Sequence, residues 1–110
     1  MGRAALIRLK SRFEIILTKI WRHIHGIDFP SIYLELTVID ALYNKKAYDL
    51  ANNFWTVLTY LRDGFIDSKV TDPANSNNII SDVLYKNEKE IIANAAKESL
   101  SRQYWNEIIW

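Results

Sequence analysis

Two short stretches carry the residue types that chemistry needs. In "LTKIWRHIHGIDFPSIYLEL", Lys19 and Ser31 bracket a brief connector between two helical patterns. An antiparallel helix pair joined by a short turn brings such positions together. A lysine ammonium beside a hydroxyl and the free N–H groups of a helix start is equipped to hold an anion, because the helix dipole and the unpaired amides add to the charge. The plainer alternative is a solvated Lys19 and a Ser31 that only caps its helix. Trp21 and Tyr33 have faces on which a base can stack, although aromatics at helical spacing belong to a core more often than to a ligand site.

The second stretch is "VTDPANSNNIISD", residues 70–82, three asparagines and an Asp-Pro step without a glycine. It is about twice the length that a simple connection needs. Asp72, Asn75, Asn77 and Asn78 can bond their own backbone and build turns. Their carboxamides also offer both a donor and an acceptor, which is what reading a nucleobase edge requires. Other signatures are missing from the sequence. The three glycines are scattered and form no phosphate-binding loop, and no cysteine is available as a nucleophile. His23 and His25 point about 200° apart on a helix and cannot share a metal. Glu88 and Glu90 diverge in the same way, so no convergent pair of carboxylates is available for two metal ions.

Four helical patterns must position these residues. Leu6, Leu9, Phe13, Ile16, Ile20 and Ile24 step by three or four, which predicts an amphipathic helix over residues 3–25 with that stripe inward. Gly26 suits its end. A second helix starts near Pro30 and runs through "SIYLELTVIDALY"; its wide apolar face marks it as central. A third covers residues 47–66, and a fourth starts near Asn87, where Asn87 and Glu90 have capping-box spacing. No alternating strand is evident. The expected fold class is all-α, a single domain over residues 1–110 built as a bundle of four main helices.

The totals fit that picture. A chain of 110 residues that is 49% hydrophobic and 25% charged has the composition of one globular domain. Zero cysteines exclude disulfides and suit a reducing compartment. A net charge of +1 gives no general attraction to nucleic acid or membrane. No apolar run approaches the roughly 20 residues of a membrane span. A cytoplasmic, soluble chain is the expectation.

Taken together, "LKSRFEIILTKIWRHIHGIDFPSIYLELTVIDAL", "FWTVLTYLRD" and "VTDPANSNNIISD…EKEIIANAAKESL…YWNEIIW" resemble the C-terminal helical half of polymerase-β-superfamily nucleotidyltransferases. The likeness is to the bacterial anti-phage cyclic-oligonucleotide synthases, relatives of oligoadenylate synthetase. The matching motifs are Lys19-Ile20-Trp21, the helix from Ser31 to Glu35, and Asp72-Pro73-Ala74-Asn75-Ser76-Asn77-Asn78, over about residues 9–110. The resemblance implies that Lys19 and Ser31 hold the triphosphate of a nucleotide donor and that the Asp-Pro-Asn segment lines a cleft. It also implies Mg²⁺ and a nucleoside triphosphate for a complete enzyme. The Gly-Ser motif and the metal-binding acids of the family's other half do not occur in this sequence, so no catalytic residue is assigned and the chain is expected to be inactive alone.

The expectation is therefore a nucleotide-gripping fragment from a truncated gene or a split protein. Its partners would be a nucleoside triphosphate and a separately encoded catalytic half, or a second copy through self-association. The alternative is a helical interaction module that binds a protein partner through an exposed apolar face.

Overall fold

The computed structural model describes residues 11–43 and 49–102. Four helices carry most of it: α1 (Arg12–Ile24), α2 (Ser31–Leu42), α3 (Leu50–Asp63) and α4 (Lys86–Leu100). Between α3 and α4 a short antiparallel hairpin, β1 (Thr71–Asp72) and β2 (Asn75–Ile79), runs into a single 3₁₀ turn, Ile80–Val83. The fold is thus broadly helical rather than purely α. The expected first turns of the opening helix, and the end of the fourth beyond residue 102, lie outside the described residues, as do residues 44–48.

Local chemistry sets the ends. α1 closes on Gly26 at φ +60°: the Gly26 amide bonds the His23 carbonyl at 3.1 Å and the Ile27 amide the Arg22 carbonyl at 3.0 Å, which satisfies two terminal carbonyls in a Schellman arrangement. A Cβ at Gly26 would meet nothing within 4 Å, so the left-handed backbone alone penalises a side chain. Gly26→Ala is expected to cost about 1 kcal/mol in urea unfolding. A neutral substitution would contradict this backbone. At the start of α3 the Asp49 carboxylate accepts from the Asn52 amide at 2.7 Å. α4 begins one residue before Asn87: the Tyr85 amide donates to Glu88 Oε1 at 2.9 Å. The expected Asn87–Glu90 box is replaced by this contact, because Glu88 stands at the third helical position when Lys86 is the first.

α2 is central, as its wide apolar face implies; Leu34, Leu36, Val38, Ile39 and Ala41 are all buried. At its first turn Phe29, Tyr33 and Phe65 form an aromatic cluster with ring centroids 5.2–5.4 Å apart, in tilted and edge-on geometries that such rings prefer. The Tyr33 hydroxyl is buried in it without a hydrogen-bond partner. Burial, with smaller contributions from Tyr60 and Asp82, pushes its pKa up from 10.0 to about 12. A phenol whose pKa is raised by folding contributes no penalty below pH 10, where both states are protonated. Between pH 10 and about 12 only the unfolded state loses the proton, so stability falls as pH rises. The expected loss is on the order of 1–2 kcal/mol, and Tyr33→Phe should flatten that part of a pH-dependent urea-unfolding series. An unchanged slope in the variant would refute the assignment to Tyr33.

α1 departs most from expectation. Phe13, Ile16, Ile20 and Ile24 are 59, 48, 36 and 43% exposed, while Ile15, Trp21, Glu14 and Thr18 are buried. The predicted inward stripe faces outward. What ties the other face down is partly polar: Trp21 Nε1 donates to Ser99 Oγ of α4 at 2.9 Å. Asn53 Nδ2 of α3 donates to Glu14 Oε2 at 2.9 Å, and the Thr18 hydroxyl returns to the Glu14 carbonyl at 2.7 Å.

Candidate functional site

Across the turn between α1 and α2 the two predicted anion-binding residues face different partners. Lys19 pairs with Glu35 and Arg22 with Ser31. The position numbers rise on one helix as they fall on the other, so α1 and α2 run antiparallel. Pro30 precedes α2 without a side-chain cap. The first backbone acceptance is by the Pro30 carbonyl, from Leu34 at 2.9 Å. The amides of Ser31, Ile32 and Tyr33 are the first three donors of α2, positions that have no partner within a helix. They supply the positive end of the helix dipole.

Arg22 was missed by the sequence argument and is the best-placed cation. Its Nη1 donates to the Phe29 carbonyl at 2.7 Å and to Ser31 Oγ at 3.0 Å, which parks the guanidinium beside the start of α2. The signal was present: Lys19 and Arg22 are three apart, hence neighbours on a helix face. Lys19 Nζ lies 3.5 Å from Glu35 Oε2, the two side chains 36 and 22% exposed. A partly solvated pair of this kind is worth less than about 1 kcal/mol, so an anion can compete for the ammonium. Ser31 is exposed. The arrangement can bind an anion through one guanidinium, one ammonium, a hydroxyl and helix-start amides. Glu35, paired with Lys19, is the acid that opposes it.

The Asp-Pro-Asn segment answers to turn chemistry. Asp72 Oδ1 accepts from the Ala74 amide at 2.8 Å and Asn75 Oδ1 from the Asn77 amide at 3.2 Å. Asn78 Nδ2 reaches Asp72 Oδ2 at 3.5 Å. Pro73 and Ala74 form the tip between the paired Asp72 and Asn75. The hairpin base is locked where Ser81 Oγ accepts from the Val70 amide at 3.0 Å and the Ser81 amide donates to the Val70 carbonyl at 3.1 Å. This explains the length and the polarity of the segment: its side chains hold a hairpin that points into solvent. Asn75, Asn77 and Asn78 are exposed and Asp72 is half-buried.

A groove of about 420 Å³ lies elsewhere, between the C-terminal end of α2 and the outer face of α3. Trp55, Thr56, Thr59, Tyr60 and Asp63 line it, and it shares no residue with the α1–α2 turn. The Thr56 and Thr59 hydroxyls bond the Asn52 and Trp55 carbonyls, and Asp63 is held by Arg62 Nε and Nη2 at 2.7 and 2.9 Å. Its polar groups are therefore already engaged. No group of three or more His, Asp or Glu among the described residues is placed to hold a metal ion. None of the described helices is long and apolar enough to cross a membrane. No family model, curated protein or solved structure matches the chain.

Proposed function

We propose that the chain is the nucleotide-gripping helical part of a nucleotidyltransferase that makes nucleotide second messengers in anti-phage defence, inactive by itself. The observation that carries the reading is Arg22 Nη1 on Ser31 Oγ at 3.0 Å, beside the uncapped start of α2 and one turn from Lys19. A triphosphate is the ligand class that matches this set, because it offers several charged oxygens to a guanidinium, an ammonium and convergent amides. The motif resemblance supplies the link to nucleotidyl transfer. Mg²⁺ belongs to that chemistry in the complete enzyme. The described residues do not fit the role of its ligands, and no step through it is assigned to this chain.

Incubated with labelled nucleoside triphosphates and Mg²⁺ or Mn²⁺, the pure chain should give no new product. Reproducible metal-dependent synthesis would overturn the proposal that it only grips. A second reading, a helical module that binds a protein partner, is favoured by one observation: the outward aliphatic face of α1.

A further inference from the structure

Two polar rungs join α1 to α2, and they differ in charge. Arg22 donates to the Phe29 carbonyl at 2.7 Å and to Ser31 Oγ at 3.0 Å, both neutral oxygens. Lys19 Nζ lies 3.5 Å from the Glu35 carboxylate. Lys19 and Arg22 are three apart on α1, and Ser31 and Glu35 four apart on α2, so each pair shares a helix face. The rungs therefore stand about one helical turn apart, roughly 5 Å along the helices. At one of them, no carboxylate among the described residues is paired with the guanidinium. At the other, the ammonium is already held by an acid.

This asymmetry sets an order for anion binding. A phosphate seated on Arg22, Ser31 and the first amides of α2 displaces no acid. A phosphate that reaches Lys19 must take the place of Glu35, and the released carboxylate then repels it. The Glu35 side chain is only 22% exposed, so solvent screens that repulsion incompletely. A single phosphate occupies one rung. A polyphosphate chain extends past the turn and meets the second.

We infer that Glu35 is the specificity-determining residue of this site: it sets how strongly phosphates beyond the first are held, by occupying the ammonium that would hold them. The inference deepens the triphosphate reading above and rests on it. Arg22 and Ser31 take the first phosphate, and Lys19 takes a later one. A partly solvated pair limits the effect to about fivefold. Glu35 thus tunes polyphosphate affinity without closing the site.

The test titrates the full ¹⁵N-labelled chain with inorganic phosphate, pyrophosphate and tripolyphosphate, at constant ionic strength and without divalent metal. In Glu35→Gln, tripolyphosphate should bind about three- to fivefold tighter, and inorganic phosphate less than about twofold tighter. Lys19→Ala reads the same rung from the more exposed partner. It should weaken tripolyphosphate and leave inorganic phosphate within about twofold. Helical circular dichroism should be unchanged in both variants. Equal gains for all three anions in Glu35→Gln would show bulk charge at work; they would overturn the role of Glu35 and leave the Arg22 site standing. Tripolyphosphate affinity unchanged in both variants would do the same. Absence of saturable shifts at Ser31, Ile32 and Tyr33, in the wild-type chain and in Glu35→Gln alike, would overturn the triphosphate reading itself.

Discussion

Trp21→Ala is expected to destabilise the fold by about 3–5 kcal/mol, the range for removing a fully buried large aromatic. The chain can spare little of that, since a domain of this size is held by roughly 5–15 kcal/mol in all. The effect is large because α1 turns its best aliphatic residues outward. Ile15 and Trp21 are its buried apolar residues, with Leu17 only partly covered. Trp21 is fully buried, and its Nε1 is bonded to the Ser99 hydroxyl 78 positions away. It therefore fastens the first described helix to the last. Trp21→Phe keeps most of the ring and orphans the buried Ser99 hydroxyl, so a loss of about 1–2 kcal/mol is expected. Urea unfolding followed by circular dichroism measures both. A loss below about 1 kcal/mol for Trp21→Ala would mean that α1 does not dock through this face.

Arg22→Ala carries the other large effect, on binding. Charge-assisted contacts to an anion are worth about 1–3 kcal/mol, and Arg22 is already oriented by Phe29 and Ser31. Its removal should weaken triphosphate binding by about five- to a hundredfold. Lys19→Ala should lose less, because its ammonium must first leave Glu35 at 3.5 Å. Removing the Ser31 hydroxyl frees the guanidinium and costs a neutral contact, so Ser31→Ala should have the smallest effect of the three. Lys97→Ala, on the exposed side of α4, should do nothing.

The parts of this molecule that were legible in the sequence are those where one signal dominates. α2 announced itself because its apolar face is wide, and the connector because Gly26 and Pro30 frame it. The antiparallel course of α1 and α2 followed from the short connector, but it sets Ser31 against Arg22 and Lys19 against Glu35. The inward face of α1 was misread for a physical reason. Its true interior positions include Glu14 and Thr18, polar residues bonded at Glu14 Oε2 by Asn53 and at the Thr18 hydroxyl by the backbone, with Glu14 Oε1 buried without a partner, so a search for apolar periodicity selects the opposite face. The hairpin at residues 71–79 was invisible to the same search. Its strands are polar and mostly exposed, and side chain–backbone bonds hold it rather than a buried face. Arg22 was overlooked because spacing alone shows which residues share a face, not which guanidinium bends towards a turn.

Titration of the ¹⁵N-labelled chain with a nucleoside triphosphate, followed amide by amide, tests the central claim most directly. Without a catalytic half the affinity should be on the order of millimolar. The expected result is a saturable set of shifts centred on Ser31, Ile32, Tyr33 and the Arg22 side chain, reproduced by inorganic tripolyphosphate and lost in Arg22→Ala. Shifts scattered over Lys69, Lys89 and Lys97, or equal effects of Arg22→Ala and Lys97→Ala, would show unspecific charge attraction and contradict a triphosphate site at the start of α2.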